Sequence, residues 1–150
     1  MASDLTVFVD TNVLLYAQDP RDIQKQISAK TWLNRCWQSQ SGRISSQVLN
    51  ELYANLRKVA PTLSPNDARA VVRRYRRWKP WLVDDETVDH AWTLQDETGY
   101  SYWDCLMLAA AFAQGCRYLV TEDLTHERVI DNLTIINPFL MSPTAVGLQE

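Results

Sequence analysis

Four acids far apart in the chain, Asp10, Glu51, Asp104 and Asp123, stand where carboxylates can do chemistry. Asp10 closes the apolar run TVFV and is followed at once by Thr11 and Asn12. Asp123 lies two residues past Thr121, just beyond a second apolar run. Gathered at one place, four carboxylates repel one another, and partial burial penalises each charge further. A divalent cation relieves both penalties. Oxygen-only ligands suit Mg²⁺, with Mn²⁺ as the alternative, better than zinc. Mg²⁺ keeps waters, and a water acidified by the ion can attack a phosphodiester.

Each acid also has an ordinary reading when taken alone. Asp10 can form an Asx turn or cap the helix that follows it. Glu51 can be a solvated helix position, off the centre of an apolar face. Asp104 completes Ser101-x-x-Asp104, a capping-box variant ahead of an apolar run. Asp123 can be a turn residue beside Glu122. Only their joint placement weakens these readings, and that placement depends on the elements that carry them.

Thr6–Val9 reads as a buried strand, followed by a short helix through Val13, Leu14, Leu15 and Tyr16 and a break at Asp19-Pro20. Ile23, Ile27, Ala29, Trp32 and Leu33 space a second helix, and Gln40-Ser41-Gly42 turns the chain into a short strand at 43–45. Ser45 or Ser46 can cap a helix with Val48, Leu49, Leu52, Tyr53, Leu56 and Val59 on one face. Pro61 to Pro65 separates it from a basic helix over 66–78, and 81–83 is a possible strand. Helices are expected over 85–97 and 103–113, the second ending at Gly115. Strands over 117–121 and 133–136 complete the set.

Strands alternate with helices, and no hairpin signal is evident between successive strands. The pattern predicts an α/β fold, a three-layer α/β/α sandwich around a mainly parallel sheet, with residues 1–150 as one domain. In such sheets functional groups collect at the carboxyl ends of the strands. Asp10 and Asp123 would emerge on that edge, and the helices bearing Glu51 and Asp104 begin on it. The four acids therefore have a topological reason to converge.

The composition is that of an ordinary globular chain: 150 residues, 46% hydrophobic, 22% charged, formal net charge −3. That charge disfavours electrostatic coating of nucleic acid but leaves room for local basic patches. No membrane span is expected, nor a secretory signal at MASDL, so a cytoplasmic protein is expected. Cys36, Cys105 and Cys116 read as reduced, buried thiols, and the six tryptophans as packing residues. His90 and His126 are isolated and read as surface or packing residues.

VDTNVLLY, SSQVLNELYANL, SYWDCLMLAAA and YLVTEDL, in that order and spacing, together resemble a PIN domain, and more narrowly the VapC-type toxins of bacterial toxin–antitoxin pairs. The tail LTIINPF resembles that family's last strand. The resemblance implies a Mg²⁺- or Mn²⁺-dependent endoribonuclease whose metal-ligating and catalytic acids are Asp10, Glu51, Asp104 and Asp123. It implies supporting roles for Thr11 or Asn12 and for Thr121, and assigns no ligand role to Glu122. It further implies 3′-hydroxyl and 5′-phosphate products, tRNA or ribosomal RNA as target, a small VapB-type antitoxin as partner, and a homodimer. The helices at 12–16 and 46–59 are candidates for an antitoxin groove, unless their apolar faces simply cover the sheet.

The basic helix offers Arg69, Arg73, Arg76 and Arg77 on one side as an RNA-binding stripe. The competing reading is a solvated face, or pairing with Asp84, Asp85 and Glu86. Other activities fit less well. A HAD-type phosphatase needs an acid where Asn12 stands, a receiver domain needs a late lysine, and phosphate-cradling glycine loops are absent. Flap-type DNA cleavage would need added elements. The alternative from a different class is a PIN-like module that binds RNA or protein without turnover.

Overall fold

A computed structural model describes residues 5–149. Five strands form one sheet in the order β2-β1-β3-β5-β4, with β1 Val7–Val9, β2 Gly42–Arg43, β3 Tyr118–Val120, β4 Val129–Ile130 and β5 Leu133–Ile136. β1 pairs in parallel with β2 and β3, and β3 with β5, while β4 runs antiparallel to β5. Helices α1 Thr11–Tyr16, α2 Ile23–Ser39, α3 Ser46–Val59, α4 Pro65–Tyr75, α5 Asp85–Thr98 and α6 Tyr102–Ala113 flank the sheet. The architecture is the α/β fold with a mainly parallel sheet expected from the sequence.

The β4–β5 hairpin departs from expectation. Asp131 takes a left-handed conformation (φ 53°) between Val129–Ile130 and Leu133, so the chain reverses within two residues. Asp-Asn at 131–132 is suitable turn chemistry. The flanking β4 is too short to give an alternating pattern. The possible strand at 81–83 is reduced to a single parallel bridge between Ser45 and Trp81.

The core follows from the apolar spacing. Val7, Phe8 and Val9 are fully buried, as a central parallel strand covered on both faces requires. Helix α6 is buried from Cys105 to Ala111, and its small alanines let it lie close to its neighbours. Gly115, at φ 69°, follows the end of that helix as expected. Ser45, Ser64, Asp84 and Ser101 cap α3, α4, α5 and α6, each accepting a hydrogen bond from the backbone N–H three residues on. The three cysteines are free and buried. Trp32 and Trp78 are buried, but Trp92 and Trp103 are more than half exposed, so packing does not account for all six tryptophans. Among the described residues no helix is long and apolar enough to cross a membrane.

The basic segment also departs from regular geometry. Helix α4 ends at Tyr75, and Arg76–Trp78 form a 3₁₀ turn. This turn seats Trp78 against Trp37 and Tyr75, with ring centroids 5.2 Å apart in both pairs. It also advances each residue by about 120° rather than 100°, so positions past Arg76 leave the helical face.

Candidate active site

Parallel pairing of β1 with β3 sets Val9 beside Val120, so the next residues, Asp10 and Thr121, leave the sheet side by side. The Asp10 N–H still donates to the Val120 carbonyl at 3.0 Å. Asp10 occupies the cap position of α1, yet its side chain makes no cap hydrogen bond. Its Oδ2 instead accepts from the Thr121 hydroxyl at 2.7 Å. The Thr121 Oγ1 in turn accepts from the Asp123 N–H at 3.1 Å, which fixes the start of the loop after β3.

Asn12, one residue into α1, reaches across the same edge. Its amide nitrogen donates to Asp123 Oδ2 at 2.9 Å and lies 3.3 Å from Thr121 Oγ1 and 3.4 Å from Asp10 Oδ2. Two hydrogens shared among three acceptors make the last of these the weakest. Thr11 points the other way and donates to Glu51 Oε1 at 3.2 Å. Each of the two polar residues after Asp10 therefore serves a different acid. Glu51 is half-buried on α3, and Asp104 lies in the first turn of α6, where its Oδ2 accepts from the Ser101 hydroxyl at 2.9 Å. The Asp104 N–H donates to the same hydroxyl, so the capping arrangement read from the sequence is present beside any other role.

The electrostatics order the acids into a row. Burial pushes the Asp10 carboxyl up from 3.8 to about 7; the Thr121 hydroxyl pulls it down, and the charges of Asp123 and Glu51 raise it further. Burial likewise raises Glu51, partly offset by the Thr11 hydroxyl, with Asp104 adding to the rise. Asp123 and Glu51 thus act on Asp10, and Asp104 acts on Glu51.

Among the described residues no three acidic, histidine or cysteine side chains close a metal cage by themselves. The donor chemistry nonetheless fits a hard cation. The four acids offer only carboxylate oxygens, and burial leaves Asp10 and Glu51 reluctant to ionise on their own. Such a set fits a hard cation that retains part of its water shell and takes only one or two carboxylates directly.

The arginines divide. Arg69, Arg73 and Arg76 line an open groove of about 420 Å³ between α3 and α4, with Tyr53, Leu49 and Val72 on its other walls. Arg77 lines a separate pocket with Arg43, Lys79 and Trp37, a consequence of the 3₁₀ turn. The one-sided stripe of four is therefore a groove of three. None of these four arginines forms an ion pair among the described residues, with Asp84, Asp85, Glu86 or any other acid. Arg69 bonds to Tyr53 and Asn66 instead.

Three neighbours of the site were not apparent in the sequence. Lys25 of α2 forms an ion pair with Glu122 at 2.9 Å, and Tyr16 donates to the same carboxylate at 3.2 Å, tying α1 and α2 to the loop that carries Asp123. No local pattern links residues 97 apart. Gln47 lies one helical turn before Glu51 and donates to the Trp103 carbonyl at 3.1 Å. Its spacing of four from Glu51 on a helix is a signal that could have located it. His126 accepts from the Asn137 N–H, and His90 packs on Phe112, in keeping with structural roles.

This chain belongs to the PIN domain family, whose model matches residues 7–132. Solved structures share the fold. VapC20 of Mycobacterium tuberculosis, a sarcin–ricin loop cleaving toxin, superposes with a TM-score of 0.55 at 22% identity, over 76% of this chain and 87% of its own. VapBC2 from Rickettsia felis, bound to a DNA fragment from their promoter, gives 0.54 at 17% identity, over 87% of this chain and 97% of its own. Comparison with curated proteins gives no match.

Proposed function

We propose that this chain is a Mg²⁺- or Mn²⁺-dependent endoribonuclease acting on structured RNA, tRNA or ribosomal RNA, as the toxin of a VapBC-type pair. Its single domain would work in the cytoplasm as a homodimer, held in check by a VapB-type antitoxin. The observation that carries the reading is the set of mutually repelling carboxylates around the buried Asp10. Membership of the PIN family supports a nuclease, and the toxin neighbours support the narrower class.

Asp10, Glu51, Asp104 and Asp123 would hold the cation between them, one or two directly and the others through its waters. When bound, the cation would lower the pKa of an attacking water and shield the charge that develops on the phosphate. Thr121 fixes the Asp10 rotamer and the Asp123 backbone, Asn12 holds the Asp123 carboxylate, and Thr11 holds Glu51. Groups that orient ligands in this way tune affinity without touching substrate. Arg69, Arg73 and Arg76 would bind phosphates along the α3–α4 groove. Helices α1 and α3 pack on each other, which leaves their outer faces as the candidate antitoxin surface.

The test is RNA cleavage in Mg²⁺ or Mn²⁺, its loss in EDTA, and its loss in a folded Asp10→Asn variant. Mapping 5′ ends of cellular RNA after expression of wild type and variant identifies the target. Cleavage that persists in EDTA or in Asp10→Asn would defeat the reading.

A further inference from the structure

We propose that the cleft between α3 and α6 is a nucleobase subsite. It takes the base of a nucleotide flanking the scissile phosphate, stacked on Trp103, and prefers bases that carry an exocyclic amino group over uracil. The inference rests on the ribonuclease reading above and names where its specificity resides.

The cleft is open, about 510 Å³, and Trp103, Leu106 and Val83 form its apolar walls while Glu51 and Gln47 supply its polar side. Glu51 belongs to the row of carboxylates, so an occupant of the cleft lies directly beside the reacting phosphate. Trp103 precedes Asp104 in the first turn of α6 and is 62% exposed. Tyr102 packs edge to face with this ring at 5.1 Å, and an exposed indole next to a nuclease centre is the feature on which single-stranded bases stack. The α3–α4 groove with its three arginines runs into the same cleft, since Ser46 and Asn50 line both. A strand with its phosphates along those arginines would thus arrive at Trp103 and then at the acids.

Glu51 gives the cleft a chemical preference. Gln47 is nine-tenths buried and donates its Nε2 to the Trp103 carbonyl, joining α3 to α6, while its Oε1 is buried out of reach of an occupant. The acceptor that lines the cleft is the Glu51 carboxylate, half-buried one helical turn from Gln47. It favours a base edge that presents N–H donors, as the amino groups of adenine, cytosine and guanine do. Uracil presents carbonyls on either side of its one N–H and meets it unfavourably. A site built to hydrogen-bond a base edge discriminates more strongly than apolar contact does.

The experiment uses the full chain with Mn²⁺ and a pool of RNA hairpins with randomised loops, cut sites being read by sequencing. Kinetics follow on one preferred hairpin. Wild type is expected to favour an amino-bearing base at one position flanking the cut. Trp103→Ala should flatten that preference and raise KM roughly ten-fold, with a smaller change in kcat, as loss of one base–aromatic stack requires. Trp103→Phe should restore most of both. Replacing a preferred adenosine by purine riboside, which lacks the amino group, should weaken cleavage by wild type several-fold and by Trp103→Ala hardly at all. If wild type cleaves and Trp103→Ala shows the same KM and base profile, the subsite is refuted, and the exposed indole belongs to a protein interface. If wild type cuts none of the pool with Mn²⁺, nor with Mg²⁺ in its place, the ribonuclease reading falls and takes the subsite with it.

Discussion

Asp10 is held between two opposing demands. The strand buries it to 5% exposure, which favours the neutral acid, while the chemistry proposed for it needs a carboxylate. Thr121 and a bound cation would resolve the conflict in favour of the charge. The conflict has a measurable sign in the metal-free protein. Folding raises the carboxyl from 3.8 to about 7, so the folded state binds the proton more tightly than the unfolded chain does. The stabilisation is complete below the unfolded value and is lost as pH rises through that window. Thermal unfolding in EDTA should therefore give a Tm that falls between pH 4 and pH 7, and Asp10→Asn should remove most of that slope. Metal binding displaces the same proton, so affinity for Mn²⁺, followed by calorimetry, should rise with pH over the upper part of the window. Thr121→Val, close in shape but without the hydroxyl, should lower metal affinity or activity roughly 10- to 100-fold with the fold intact. Wild-type activity in that variant would mean that the hydroxyl does not position Asp10.

The secondary elements show which parts of this design a sequence can announce. Strand β1, helix α3 and helix α6 are legible because burial pattern, cap and apolar spacing all agree. Asp10 and Thr121 follow from them, since parallel pairing decides where a strand's last residue emerges. The β4–β5 hairpin is not legible, because a two-residue strand leaves no period to detect. Nor is the separation of Arg77 from the other arginines. It depends on the 3₁₀ turn at Arg76–Trp78, which seats Trp78 against the aromatic pair of Trp37 and Tyr75. The same packing accounts for Gly42 on β2. A Cβ at this position would meet the Trp78 ring at 2.5 Å, backed by the packed cluster rather than by open space. Gly42→Ala should therefore destabilise the protein by about 1–3 kcal/mol through overpacking, read as a lower urea midpoint at unchanged m-value. An unshifted midpoint would show that the indole moves aside freely. The Lys25–Glu122 pair is partly exposed, and Lys25→Met should cost no more than about 1 kcal/mol on the same assay.

Charge distribution over the whole molecule decides how a chain of net charge −3 can hold a polyanion. The acids are gathered on one edge, where a cation would offset them, and Arg69, Arg73 and Arg76 are gathered in a groove that opens toward that edge. Binding then depends on the local field rather than on the total, because charges beyond about 10 Å are largely screened at ordinary ionic strength. Each arginine that neutralises a phosphate releases counterions, so the salt dependence of binding counts such contacts. With the inactive Asp10→Asn protein as the binding reagent, Arg73→Glu with Arg76→Glu should weaken RNA binding across sequences. It should also reduce the slope of log K against log salt by about 2, one for each contact. Arg77→Glu makes the comparison decisive. Its side chain lines a different pocket, beside Arg43 and Lys79, so reversing it should leave the slope close to that of the parent protein. If all three reversals flatten the slope alike, the RNA is held by the general field of the basic segment and not by the groove. If only the pair at Arg73 and Arg76 does so, the phosphates run along α3 and α4 toward the carboxylates.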